Sequence, residues 1–230
     1  MAVTAQSVID RVQAVLQDTT GVRWPVTSEL VLWVNDAQRE IALLKPDASA
    51  VNTTVTLTSG TKQEIPSAGN RLLKVVRNMS AASGGVGKRS IRLVDLAVLD
   101  SQTPDWHDPS VSGDAAHTNI VKHYSYEESN PRNFYVYPGV SGDAYVELVY
   151  SANPATVTAS DNLSIPDIFA NAIMNYVLYM AYMKDAEFAG NQQRAGSHYQ
   201  LFQTSVTGKG AIDAMTNPNA ERARSVAAVV

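Results

Sequence analysis

One stretch, Thr27 to Leu44 (TSELVLWVNDAQREIALL), constrains this chain more than any other. It lies between Trp24-Pro25 and Pro46. Leu30, Trp33, Val34, Ala37, Ile41 and Leu44 recur at steps of three and four, the spacing of one apolar helix face. Thr27 or Ser28 is placed to cap the first turn, Glu29 suits the positive end of the helix dipole, and Pro46 ends the run. Leu32 and Leu43 stand off the stripe. At about 100° per residue they fall together on the opposite face, among Asp36, Arg39 and Glu40. A helix apolar in front and again behind is expected to touch its own core and a second body. A loop lying over either leucine would explain it equally well.

A first helix is expected over residues 4–18, capped by Thr4, with Ala5, Val8, Val12, Val15 and Leu16 as its stripe. Asp18-Thr19-Thr20-Gly21 breaks it, so the two helices form an antiparallel pair. After Pro46 the period changes. Val51, Thr53, Val55 and Leu57 alternate with polar residues, and Ser59-Gly60 turns the chain into Thr61–Ile65, a hairpin pattern. Further strands are expected over 71–79, 120–126, 134–137 and 145–150, the last with Val146, Leu148 and Tyr150 on one face. Residues 83–87 read as a loop and 94–99 as a short helix or strand. Residues 101–118 are a proline-marked polar connection with Trp106 at its centre.

The helical period returns at Ser164-Ile165-Pro166-Asp167, a capping-box variant. Phe169, Ala172, Ile173, Tyr176, Met180 and Met183 form a stripe. Met174, Val177, Leu178, Tyr179 and Tyr182 nearly surround it, so part of this helix is expected to be buried by another subunit. A last helix over about 189–206 carries Ala195, Tyr199, Phe202 and Val206, and the remainder is polar and aperiodic. The expected fold class is α+β: an antiparallel bundle of about four helices, two N-terminal and two C-terminal, an inserted small antiparallel β module, and an extended C-terminal tail. The expected divisions are 1–50 with 161–207, 51–160, and 208–230.

Hydrophobic residues at 45% and charged ones at 17% describe a globular chain, and the net charge of −4 disfavours a dedicated phosphate neutraliser. Without cysteine, disulfides, thiolate catalysis and cysteine zinc sites are excluded. The N-terminus lacks a signal-peptide pattern, and Ile168–Met183 is too short and too interrupted to span a bilayer, so the chain reads as soluble and intracellular.

Motifs for chemistry are weak. Ser83 to Ser90 (SGGVGKRS) approaches a phosphate-binding loop but has Ala82 for its first glycine and Arg89 where Ser or Thr should follow Lys88. His107, His117, His123 and His198 have no metal spacing; Asp105, His107 and Asp108 around Trp106 offer a loose candidate, with a solvated loop the plainer reading. Glu127-Glu128 and Asp143 suit strand ends better than a glycosidase pair. Arg71, Lys74, Arg77, Lys88, Arg89 and Arg92 form the densest basic group, which would face nucleic acid or an acidic partner, or protect a strand edge. No reaction, metal or cofactor follows from these residues.

The segments TSELVLWVNDAQREIALLKPDA, LTSGTKQEIP, LLKVVRNM, LDSQTPDWHD, NPRNFYVYP, VELVYSANP and the run from Ile165 to Phe202 occur in an order that resembles the head-to-tail adaptor (connector) proteins of tailed double-stranded DNA bacteriophages. The resemblance covers roughly residues 1–207. It implies a structural virion protein, not an enzyme, in a ring of commonly twelve copies at the neck between capsid and tail, assembled in the host cytoplasm. Its implied partners are the portal, a downstream neck, tail or nozzle protein, and genomic DNA passing through the channel without sequence-specific binding. On that reading Leu32, Leu43, Tyr179 and Tyr182 are candidate subunit contacts. Ala211, Ile212, Met215, Val226, Val229 and Val230 are candidate portal-docking residues. Two rivals remain: a glycan- or polymer-binding module exposing Trp106 and Tyr135, and a hydrolase in which Asp105, His107 or Glu127 converge.

Overall fold

The computed structural model describes the backbone of residues 2–216 and the side chains as far as Gly208. The fold is α+β and divides into two compact units, one made of Met1–Ser49 and the chain from Pro154 onward, the other of Ala50–Asn153. Among the described residues there are five α-helices and two four-stranded sheets.

The helical unit contains α1 (Ala5–Leu16), α2 (Val31–Leu44), α4 (Ala170–Lys184) and α5 (Asn191–Thr216). Apolar residues of α4 explain its place: Ala172, Ile173, Val177, Leu178 and Ala181 are buried, and the helix touches α1, α2 and α5. Thr4 caps α1 as expected, its Oγ1 accepting from the Ser7 N–H at 3.2 Å. The stripe of α1 differs from expectation. Ile9 is buried and Val15 is exposed, and the left-handed Gln17 ends the helix after Leu16.

Neither side-chain cap expected for the other helices forms. One π-helical turn over Val26–Leu30 precedes α2, and Glu29 pairs instead with Lys184 at 2.7 Å. At α4 a 3₁₀ turn over Asp167–Phe169 leads in with no side-chain cap, and Ser164 instead donates its N–H and hydroxyl to Gln38 Oε1. Of the expected stripe, Leu30 at the end of the π turn and Val34, Ala37 and Ile41 of α2 are buried, Trp33 is half-buried and Leu44 is exposed at the helix end.

Residues 157–165 stitch the two halves of this unit together. The otherwise unpaired N–H groups of Ala5 and Gln6 at the start of α1 donate to Asp161 O (2.9 Å) and Ala159 O (2.8 Å). Buried Asn35 of α2 donates to Val157 O at 2.9 Å and accepts from Val157 N at 2.8 Å, acting as a strand partner would.

In the β unit, β1 (Ala50–Thr56), β8 (Tyr145–Ala152), β3 (Gly69–Met79) and β4 (Gly87–Ser90) make one antiparallel sheet in that order. The second sheet runs β2 (Gly60–Glu64), β7 (Asn133–Val140), β6 (His123–Tyr126), β5 (Arg92–Leu93). Leu72, Val75, Phe134, Val136, Val146, Leu148 and Tyr150 share the core they enclose.

Two expectations are corrected here. The hairpin over 51–65 does not form: β1 pairs with β8 and β2 with β7. Gly60, at φ +102°, turns the chain from one sheet to the other, and the Gln63 side chain holds the corner through Thr58 N and the Thr58 and Gly60 carbonyls. Nor is the module wholly antiparallel, since β5 runs parallel to β6. The intervening chain, with α3 (Leu96–Gln102) and the long loop, is a crossover of the length a parallel pair requires.

α5 also departs from expectation. Its backbone stays helical through Gly208 and Gly210 to Thr216, so the tail is not extended over 208–216. Residues 217–230 lie outside the described residues.

Candidate interaction surfaces

Leu32 and Leu43 are exposed, at 53% and 74%. They are the ends of one outer row of α2, Leu32-Asp36-Arg39-Leu43, about 16 Å long at 1.5 Å per residue. Asp36 and Arg39 pair with each other at 3.0 Å in its middle. The row therefore presents two apolar ends and a charge-neutral centre.

Tyr179 and Tyr182 are half-buried and occupied within the chain. Tyr179 meets Tyr199 at 4.9 Å between ring centroids, and Tyr182 stacks on His198 at 5.6 Å with an 11° interplanar angle. Together with Tyr176 against Phe202 at 5.1 Å, they form an aromatic seam between α4 and α5. Burial pushes the His198 imidazole down from its ordinary pKa and the Tyr176 phenol up, the latter helped by Asp36 and Glu40. Ala211, Ile212 and Met215 stand on the helical backbone of α5, and Val226, Val229 and Val230 fall outside the described residues.

The catalytic alternatives find no assembled site. His107 Nδ1 is hydrogen-bonded to Thr61 Oγ1 at 2.7 Å, and its ring lies on Trp106 at 3.7 Å. Asp105 and Glu127 are exposed. A cleft of about 560 Å³ includes Asp95, Asp100 and Glu127 but neither Asp105 nor His107. Its first two carboxylates already have structural partners: Asp95 caps α3 through the Ala97 N–H, and Asp100 accepts from Trp106 Nε1 at 3.0 Å. Among the described residues no three His, Asp or Glu side chains are grouped to hold a metal. Trp106, expected at the surface by the glycan reading, is fully buried against Tyr135 and Tyr137. It anchors the long loop, and its ring faces are closed to a sugar. The run from Ser83 to Ser90 ends in β4 with no helix behind it, as a phosphate-binding loop would need.

A family model described as SU10 adaptor protein matches residues 3–227. The chain belongs to the SU10 adaptor protein family. Membership bears out the resemblance to phage head-to-tail adaptors and carries the match beyond residue 207, into the C-terminal segment. Curated proteins provide no match. Among the described residues of this SU10 adaptor, no helix is long and apolar enough to cross a membrane.

Two groupings take their geometry from the tertiary structure. Arg23 lies 4.9 Å from the ring centroids of both Trp24 and Phe188 and pairs with Asp185 at 2.8 Å, tying the α1–α2 connection to the end of α4. The basic residues of β3 come onto one face by an irregularity of the strand; only the repeat of basic residues at 71, 74 and 77 hinted at it.

Proposed function

We propose that this chain is a structural virion protein that forms a ring, commonly of twelve copies, at the neck between capsid and tail. The ring joins the portal to a downstream neck, tail or nozzle protein, and genomic DNA passes through its channel. Family membership over residues 3–227 supports the adaptor role. The observation that carries the ring reading is the outer row of α2: Leu32 and Leu43 are exposed on a helix whose other face is already filled. A ring contact is head-to-tail, so it needs such a surface on one side to meet a different surface on the other.

In this reading the helices, packed as a four-helix bundle from 1–50 and 161–207, build the ring. The β-rich 51–160 faces the downstream component, and 208–230 reaches the portal with Ala211, Ile212, Met215, Val226, Val229 and Val230. The rims of Tyr179 and Tyr182 left uncovered by α5 add to the subunit contact. The mechanism is interface formation, with no reaction.

Replacing both leucines (Leu32→Asp with Leu43→Asp) tests this. Mass photometry and negative-stain microscopy, with the portal present, are expected to show a folded monomer and no ring. Normal rings from the double variant would remove this row from the interface.

A further inference from the structure

Residues three apart in a regular strand point to opposite faces, so Arg71, Lys74 and Arg77 would ordinarily alternate. In β3 they do not. The pairing with β8 slips by one residue between Gly69 and Arg71, between Leu72 and Lys74, and between Val75 and Arg77, three bulges in succession. Each slip resets the strand, so Leu72, Val75 and Asn78 all turn into the core. The basic residues register with Ser151, Val149 and Glu147, every second residue of β8 and hence one face of the sheet.

The bulges also shorten the spacing. Three regular residues would set the charges about 10 Å apart, whereas the two-residue repeat of β8 sets them about 7 Å apart. That step is comparable with the distance between neighbouring phosphates along one nucleic-acid strand.

These charges do not guard a sheet edge. β3 has β8 on one side; on the other it has β4, the Ile91 N–H on Val76 O (3.1 Å) and the Pro131 carbonyl on Leu72 N (2.9 Å). All three basic residues are exposed. Glu147 neutralises Arg77, while Arg71 and Lys74 form no ion pair among the described residues. Alongside, β1 offers Asn52 and Thr54, and Asn52 is hydrogen-bonded to Glu147. Protein interfaces are depleted in lysine and centre on aromatic or apolar anchors; nucleic-acid interfaces are polar and positive. The charged row has the second character, with half-buried Val149 of β8 opposite Lys74.

We propose that the face of the β1-β8-β3-β4 sheet carrying Arg71, Lys74 and Arg77 binds the phosphate backbone of duplex DNA without reading its sequence. The proposal deepens the adaptor reading by naming a surface that meets the passing DNA, and it rests on that reading only for the identity of the polymer. Arg71 and Lys74 hold phosphates directly, and Arg77, steadied by Glu147, closes the row.

The test uses the full chain and a fluorescein-labelled duplex of arbitrary sequence, read by anisotropy across a KCl series. Log affinity is expected to fall linearly with log salt. Arg71→Gln with Lys74→Gln is expected to bind at least about tenfold more weakly at low salt, with a slope smaller by about two. A matched loss of two charges elsewhere, Arg11→Gln with Lys62→Gln, is expected to bind as the parent does. The same measurements in the Leu32→Asp, Leu43→Asp background separate DNA contact from assembly. The slope difference is expected to persist there, whether or not rings form. Parent and variant slopes that coincide would overturn the proposal. So would a parent chain that binds poly-glutamate but not the duplex, or an affinity loss found only where Arg71→Gln with Lys74→Gln also abolishes assembly.

Discussion

Asn35, Gln38 and Asn78 are buried polar residues, and each amide is spent on backbone groups from a distant part of the chain. Asn35 pairs both polar groups of Val157, Gln38 accepts from Ser164, and Asn78 exchanges bonds with Val121 at 2.7 and 2.8 Å while donating to Arg89 O. An amide suits this task because it offers a donor and an acceptor side by side. Asn35→Ala would leave the Val157 N–H and C=O unpaired in the core, costing about 3 kcal/mol. For a chain of this size that is a fall in Tm of roughly 10 °C in a circular-dichroism melt. A change under about 2 °C would mean that water or a backbone shift replaces the amide. None of this was legible in the sequence. Asn35 and Gln38 sit in a helical pattern as ordinary polar positions, and their partners lie more than a hundred residues away.

At the scale of elements, the α4–α5 seam shows how an apolar surplus is absorbed. α4 is apolar on almost every side, and α5 answers it with Ala195, Phe202 and Val206 buried and Tyr199 and His198 against the tyrosines. Much of the surface that suggested a neighbouring subunit is thus covered from within. His198 gives the seam a pH dependence. Its Nδ1 bonds Asn175 Oδ1 at 2.9 Å, its ring stacks on Tyr182, and Arg194 lies over the same tyrosine at 5.9 Å. Burial lowers the imidazole pKa, so the folded chain binds this proton more weakly than the unfolded chain does. The resulting stability is full above the ordinary imidazole value of about 6.5 and falls as pH drops through it toward the lowered folded value. His123, lowered by burial and by Arg89, Arg92 and Lys122, adds in the same direction. Melting temperatures between about pH 7.5 and about pH 5.5 are expected to fall less steeply in His198→Gln than in the parent. Parallel curves would show that the seam takes up no proton in that range.

For the whole molecule, the helical unit is assembled from the two ends of the chain, and the β unit is inserted between them. The last described buried side chain of α5 is Val206, so truncation after Gly208 keeps the buried side chains of the seam. Such a chain is expected to fold with an unchanged circular-dichroism melt and still form rings, but to lose co-sedimentation with the portal. Portal binding by the truncated chain would place the docking surface elsewhere.

The sequence by itself determined the main helices and most of the strands, that the class is α+β, and that Leu30, Val34, Ala37 and Ile41 form a core face, because these follow from local periodicity and steric preference; the short β4 and β5 carry too little pattern to be read from it. It also carried enough ordered segments to reveal the family. Pairing was different. That β1 pairs with β8 rather than β2, that α2 and α4 start without side-chain caps while Glu29 and Ser164 bond to Lys184 and Gln38, and that Tyr182 faces His198 were settled by which surfaces meet after collapse. The basic repeat of β3 is the sharpest case. A three-residue period fits no regular strand, and only the register with β8 turns it into one charged row.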